Sequence, residues 1–365
     1  MKNRIMKLLF PWAIVLGVCM PGMAQQTKIL TAEKHNEYGL VYTLPTTALQ
    51  IEITATREIR KAGPYYQYAK KYVGTDVVIK EDGEVWTIES VRVQPYGVPN
   101  QEERYMMQLK PGATTFIGVA QDGMLLSINA NPITPPEFKS TQPGEPEGEQ
   151  LADREYLQYV DEDFIASQSK AKQAQMLAES LMEIREAKIS LTRGTADQMP
   201  TDGRQLELML NSLRHQEAAI TAAFLGNSVK ETVVRTFTFE PEEEGRSVLF
   251  RLSDFDGFVS ADDYSGEPVY IKVDVTNEGV MPVDAKGEAK KMPKDAVAYN
   301  VPGTAKVSLT FKGKTLFSNE FEMSQFGVVF GLNPVLFSDK KAPSYAIFDP
   351  TTGALKEIGT AKEGQ

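Results

Sequence analysis

Oxygen ligands are plentiful in this chain and nitrogen ligands are scarce: Asp and Glu total 49 residues against 2 His. The densest oxygen-bearing stretch is Asp254-Phe255-Asp256-Gly257, followed by Asp262-Asp263 and Glu267. Loops of this kind suit Ca2+, a hard cation held by carboxylate and carbonyl oxygens. Asp254, Asp256, Asp262 and Asp263 are therefore the candidate metal ligands. Their spacing departs from an EF-hand, because Gly257 follows Asp256 directly and the later acids fall out of step. The competing reading is aspartates that stabilise turns.

A second candidate is the run Gly63-Pro64-Tyr65-Tyr66-Gln67-Tyr68-Ala69-Lys70-Lys71-Tyr72-Val73-Gly74. Tyrosine combines an apolar ring with a hydrogen-bonding hydroxyl, so Tyr65, Tyr66, Tyr68 and Tyr72 could stack on a glycan or a peptide. At helical spacing, Tyr65, Tyr68 and Tyr72 share one face, which is equally the pattern of a short helix packed on its own chain.

Other reactive groupings fall away on spacing. His35 and His215 are too few for most zinc sites, and no HExxH occurs. No GxSxG is present to raise a serine on a nucleophile elbow. Ser167-Gln168-Ser169-Lys170 satisfies SxxK but lacks the SDN and KTG partners of a Ser-Lys hydrolase. Gly313-Lys314-Thr315 resembles the end of a phosphate loop, yet Ser308 stands where the first glycine belongs, so a β-turn is expected. Carboxylate pairs able to hydrolyse a glycan remain open, with no pair singled out.

The elements that would position these residues are legible from periodicity. Ala171, Ala174, Leu177, Ala178, Leu181, Ile184 and Leu191 recur in steps of three and four, as do Leu206, Met209, Leu210, Leu213, Ile220, Ala223 and Phe224. Gly194 fits a C-cap of the first helix, and Asp202 with Gln205 resembles a capping box opening the second. The break around Pro200 is short enough that the helices fold back antiparallel. Counting from that turn places Glu183 near Arg214 as a cross-helix ion pair.

Either side of this hairpin the pattern is β. Leu49, Ile51 and Ile53 alternate with Gln50 and Glu52 after Pro45 breaks a first apolar run, and Trp86 to Val93, Tyr105 to Leu109 and Thr115 to Ala120 read as further strands. Asp122-Gly123 marks a hairpin into Met124–Ile128. Pro132–Gln150 is dominated by proline, glutamate and glycine and reads as a loop or flexible linker. After it, seven more apolar runs between Val233 and Phe348 suggest a sandwich or small barrel. Two weak echoes suggest a duplicated β-unit: Tyr42–Ala48 resembles Tyr299–Ala305, and Gly123–Ile128 resembles Gly353–Ile358.

At the N-terminus, Lys2, Arg4 and Lys7 precede the apolar run Leu8–Met20 and then Gly22-Met23-Ala24, the pattern of a secretory signal cleaved before Gln25. The run is shorter than the ~20 residues a membrane span needs. Cys19 would suit a lipid anchor were it not preceded by Val18. Cleavage removes this single cysteine, and with it disulfides, thiol nucleophiles and Cys-bound metals. The net charge of −10 becomes more negative once the three basic residues leave, which argues against nucleic acid and anionic membrane surfaces as partners.

Several stretches resemble the Bacteroidota envelope-protein family known as domain of unknown function 4831. They are Gly39–Pro45, Gly63–Gly74, Val93–Pro99, Ala261–Ile271 and Ser324–Leu332, together with Arg185-Glu186 and Gln216-Glu217 in the hairpin. The resemblance covers nearly all the chain after the signal and implies a secreted protein; it implies no activity. The expectation is therefore an α+β, mainly β protein: a signal peptide over 1–24, an N-terminal β domain over 38–130, a linker over 131–150, a helical hairpin over 151–226 and a C-terminal β domain over 229–360. Each β domain is expected to be sandwich-like. The expected role is a non-catalytic binding or assembly module in the periplasm or at the outer membrane, with an envelope protein or a glycan as partner. A carboxylate-based glycan hydrolase and a glycan-binding accessory protein using Tyr65–Tyr72 are the alternatives.

Overall fold

In a computed structural model, the structure describes residues 39–108, 116–337 and 342–360. The signal sequence, Cys19 and His35 lie outside them. The described chain is mainly β, with strands in three sheets. The strands are β1 (Gly39–Lys61), β2 (Gly83–Gln108), β3 (Ile117–Val119), β4 (Leu125–Ile128), β5 (Asn227–Phe239), β6 (Gly245–Ser253), β7 (Gly257–Val259), β8 (Glu267–Asn277), β9 (Val297–Phe311), β10 (Lys314–Leu332), β11 (Ser344–Phe348) and β12 (Leu355–Thr360). Helices α1 (Ala69–Tyr72), α2 (Glu162–Ala166), α3 (Lys170–Arg193) and α4 (Gly203–Leu225) complete the chain.

The sheet orders are β2-β1-β5, β10-β9-β8-β6-β7 and β12-β11-β4-β3. The first and third each combine strands from before and after the helices. This corrects the expectation of one sandwich on each side: β1 pairs with β5 from Leu49↔Phe239 to Lys61↔Asn227, and β4 pairs with β11. The reason lies in β1, which serves two cores. Leu49, Ile51 and Ile53 face Phe250, Leu252, Val269, Ile271, Val307 and Leu309 of the five-stranded sheet. Earlier in the same strand, Tyr42 and Leu44 pack with Tyr105, Ile128, Tyr299, Phe330 and Phe348. Pro45 does not end the strand. It sits at a shift in the β1–β2 register, where Thr43 pairs with Arg104 and Pro45 with Pro99, so that the extra residues Asn100–Glu103 bulge from β2 as β1 passes from one core to the other. Likewise β2 runs unbroken through Pro95 and Pro99, which an edge strand tolerates because its outer N–H groups need no partner.

The two sequence echoes make matching contacts. The Thr43 amide donates to Gly123 O (3.0 Å), and the Asn300 amide donates to Gly353 O (3.1 Å). Each forms an isolated parallel bridge, Thr43↔Met124 and Asn300↔Ala354. Tyr42 of the first echo also reaches the residue just before the second, since its hydroxyl donates to Ala298 O (3.2 Å) and accepts from the Ala298 amide (2.8 Å). Gly313 lies in the turn between β9 and β10, where Lys312 and Gly313 both take positive φ, the geometry of a tight two-residue hairpin.

The Pro/Glu-rich segment is a fastened strap rather than a free linker. It crosses the face of the three-stranded sheet opposite Leu49, Ile51 and Ile53. Pro136 O accepts from Gln94 (2.9 Å), Lys139 O accepts from Arg92, and Glu147 and Lys230 exchange backbone hydrogen bonds (2.8 Å each). The Arg92 guanidinium stacks over Phe138 at 4.7 Å. Beneath the strap, Glu52 is only 2% exposed. Its carboxylate accepts from Ser140 Oγ (2.7 Å), the Thr141 amide (2.9 Å), Thr141 Oγ1 (2.6 Å) and Arg92 (2.9 Å). Composition alone suggested mobility because the strap has almost no apolar residues. Its anchorage comes instead from a buried acid on the sheet.

Candidate functional site

The helices and the tyrosine run form one unit at the side of the β body. Ser169 caps α3 by accepting from the Lys172 amide, and Asp202 caps α4 by accepting from the Gln205 amide (2.7 Å). The Ser167–Lys170 motif is thus a helix junction, with its second serine engaged as a cap. Gly194 closes α3 with φ +70°, a left-handed conformation open to glycine. Along the inner faces, Ala174, Leu177, Leu181 and Ile184 of α3 pack with Ile220, Ala223 and Phe224 of α4. The cross-helix charges are Glu217 with Arg185 (2.8 Å) and Lys188, whereas Arg214 bonds Asn211 on its own helix. That corrects the Glu183–Arg214 pairing: with Arg185 opposite Glu217, the helices pack in a register offset from the one counted back from the turn.

The tyrosines hold the base of this unit. A Cβ on Gly63 would lie 2.7 Å from Ala223 O, so the backbone there sits directly on the end of α4. Tyr65 follows, its amide donating to Ala223 O (2.9 Å). Its ring is 5% exposed and meets Tyr156, Phe164 and Phe224 at 5.9, 6.3 and 6.2 Å. Its hydroxyl donates to Gln173 Oε1 (3.1 Å), and burial pushes its ionisation well above the usual phenol range. Tyr72 packs on Phe224 at 6.3 Å, and Tyr68 joins the same cluster. Three of the four candidate tyrosines are therefore engaged in packing the hairpin, and only Tyr66 lies outside the cluster, half-buried. They do not form an open stacking platform.

Beside this cluster lies a cleft of about 280 Å³ between the Gly63-Pro64 turn, residues 151–156 and the end of α4. Ala219, Ala222 and Ala223 line it together with Lys61, Asp82 and Arg154. Lys61 pairs with Asp82 at 2.9 Å, and the Ala62 amide followed by Lys61 holds Asp82 below the ordinary carboxylate range. His215 stands on the outside of α4 with Nδ1 2.5 Å from Glu149 and Nε2 2.5 Å from Glu155.

The aspartates are placed elsewhere. Asp254 and Asp256 lie on the turn between β6 and β7, and Asp262 and Asp263 on the loop from β7 to β8; all four are exposed. The Asp263 carboxylate accepts from the Ser265 amide (2.9 Å), and that bond, with the Ser265 side chain, lowers its ionisation. Ser253 Oγ accepts from the Phe255 and Asp256 amides, at 3.3 Å each. Among the described residues no three His, Cys, Asp or Glu side chains converge as metal ligands. Asp263 thus stabilises its own turn, while Asp254, Asp256 and Asp262 stand exposed on the turns that carry them.

Two features escaped the sequence reading. Glu52 sits at a strand position that alternation assigned to solvent. The far half of the hairpin leaves Met182, Ile189, Leu208 and Met209 exposed, although Met209 occupies a helical-period position that a docked helix would bury. Among the described residues no helix is long and apolar enough to cross a membrane.

No curated protein and no solved structure matches the chain. The profile described as "Domain of unknown function (DUF4831)" matches residues 38–356 and so takes in the strap, the hairpin and all three sheets. The chain belongs to that family.

Proposed function

We propose that this chain is an exported, non-catalytic binding or assembly module of the cell envelope, and that the outer half of its helical hairpin is the surface offered to a protein partner. The observation that carries this reading is the asymmetry of the hairpin. Its base is locked into the chain by Tyr65, Tyr156, Phe164 and Phe224, whereas Met182, Ile189, Leu208 and Met209 stand exposed further out, with Leu208 at 62%.

On α3, Met182, Arg185 and Ile189 follow at steps of three and four, as Met209, Leu213 and Glu217 do at steps of four on α4. The Arg185–Glu217 ion pair joins these two stripes, so Met182, Ile189 and Met209 border one seam. Methionine adapts its shape to an apolar partner surface, and clusters of exposed apolar side chains mark interaction sites. Apolar side chains match protein surface better than the hydroxyls of a sugar. Export is supported by the basic residues and apolar run at the N-terminus.

The test is a cross-linked capture from envelope extract using the full chain and its Ile189→Glu/Met209→Glu variant. A reproducible partner lost in the variant, at an unchanged melting temperature, is the expected result. Identical capture by both proteins, or no reproducible partner, would sink the proposal. N-terminal sequencing of the protein recovered from a periplasmic fraction should begin at Gln25.

A further inference from the structure

The outer face of the five-stranded sheet carries two tyrosines that the hairpin does not use. Along β6 and β8, Phe250, Leu252, Val269 and Ile271 face the core, so Arg251 and Tyr270, which alternate with them, stand on the opposite face. The loop from β7 to β8 crosses over β6 on that face. It lies so close that a Cβ on Gly266 would come within 2.8 Å of the Leu252 and Ser253 backbone. Arg251 is clamped beneath the loop, donating to Ala261 O (2.8 Å) and Gly266 O (3.1 Å). Its guanidinium lies 4.5 Å from the Tyr264 ring, and that ring is 84% exposed. One face of Tyr264 is thus held on a fixed cation while the rest of the ring is in water. Tyr270 makes a parallel arrangement with Arg246 at 3.6 Å. Beside it on β9 stands its register partner Thr310, between the core residues Leu309 and Phe311.

We infer that this face, with Tyr264 and Tyr270 as its aromatic anchors, binds an uncharged glycan chain running across β6, β8 and β9. The chemistry selects that ligand from its competitors. Pyranose rings present C–H faces that stack on aromatic rings and hydroxyls that bond to acceptors such as Asp262, Asp263 and Thr310. A polymer of either charge would meet like charges here, because the carboxylates of Asp254, Asp256, Asp262 and Asp263 on the loops stand beside Arg246 and its register partner Lys272 on the strands. A cationic side chain would have to approach a tyrosine already carrying a guanidinium on its other face.

Affinity electrophoresis through starch, mixed-linkage β-glucan, xylan and mannan, using the full chain, tests this. Retardation by at least one polymer is expected. Tyr264→Ala should weaken it at least about tenfold at an unchanged melting temperature, and Tyr264→Phe should stay within about twofold of the parent. The inference fails if none of the four polymers retards the protein, or if Tyr264→Ala is retarded as strongly as the parent. Binding to polylysine that is lost in Asp262→Asn/Asp263→Asn but kept in Tyr264→Ala would also overturn it, by reassigning the loop to a cationic protein.

Discussion

His215 on α4 and Glu155, which opens the short 3-10 helix Glu155–Tyr159 after the strap, are joined through Nε2 and Oε1 at 2.5 Å, while the other ring nitrogen meets Glu149 at the end of the strap. Two nitrogens facing two carboxylates favour the doubly protonated ring, so Glu149 and then Glu155 raise the His215 pKa. Glu155 is held low, first by the Ala152 amide and then by His215. A raised histidine contributes stability that is fully present below its unfolded value of about 6.5 and is lost as pH rises through the folded value. A lowered carboxylate contributes above its unfolded value of about 4.3 and loses that as pH falls. The clasp is therefore strongest between these two values. The melting-temperature difference between the parent and His215→Gln should be largest near pH 5.5 and shrink by pH 9. A difference that is flat across this range would show that the ring is not charged in the clasp.

Glu52 makes a second, deeper attachment of the same strap. Burial pushes its pKa up, but the Thr141 hydroxyl, Ser140, the Thr141 amide and Arg92 together hold it below the ordinary carboxylate value. Glu52→Ala leaves those donors without their acceptor and should cost about 2–4 kcal/mol in urea unfolding. The strap should also become cleavable by protease near Ser140 before global unfolding. Because the folded pKa is depressed, this contribution is present at neutral pH and disappears as pH falls below about 4. Equal protease resistance in parent and variant would mean that the contacts of Gln94, Arg92 and Lys230 with the strap secure it without Glu52.

What could be read from the sequence followed from local signals. The helical faces of Leu177, Leu181 and Ile220 and the caps Asp202 and Gly194 obey rules that act within a few residues. The Tyr65–Tyr68–Tyr72 stripe was legible as one face, but its partners Tyr156 and Phe224 lie far along the chain, so packing and ligand stacking could not be told apart. Sheet partnership was not legible, because alternation in β1 says which side chains share a face but not that β5 lies beside it. Pro45 and the proline-rich strap misled for one reason. Proline lacks an N–H and forbids a regular central ladder, yet a bulge, an edge or a side-chain anchor accommodates it. Glu52 illustrates the remaining gap: its burial depends on Ser140 and Thr141, whose approach no local pattern encodes.

Tyr65 tests whether the tyrosine run is structural. Tyr65→Ala removes a ring packed on Tyr156, Phe164 and Phe224 and should cost about 3–5 kcal/mol. Tyr65→Phe keeps the ring and removes the hydroxyl bonded to Gln173, and should cost about 0.5–1.5 kcal/mol. Tyr66→Ala, outside the cluster, should cost less than Tyr65→Ala. Hydrogen exchange would show α3 and α4 losing protection in Tyr65→Ala before β8 and β9 do, because the sheet core shares no residue with the hairpin core. Simultaneous loss in both regions would mean that the hairpin and sheets unfold as one unit.

Gly327 lies where β10 leaves register with β9, between Met323 and Val328. This irregularity carries Gln325 toward β1, where its side chain accepts from the Thr47 amide (3.1 Å) and donates to Thr47 O (2.9 Å) and Pro241 O (2.8 Å). The bend depends on close backbone approach: a Cβ on Gly327 would stand 2.1 Å from Val301 O, and one on Gly303 would stand 2.2 Å from Phe326 O. Neither neighbour is the end of a flexible side chain, so Gly327→Ala must part the two strands. Gln325→Ala, by contrast, empties the polar contact while leaving the strands together. The expected order is a loss of about 1–3 kcal/mol for Gln325→Ala and a larger loss, of about 3 kcal/mol or more, for Gly327→Ala. Hydrogen exchange at Val329 and Phe330 should rise only in the glycine variant. If Gln325→Ala frees those amides to the same extent, the side-chain anchor, and not the close backbone packing, is what holds β10 on β9.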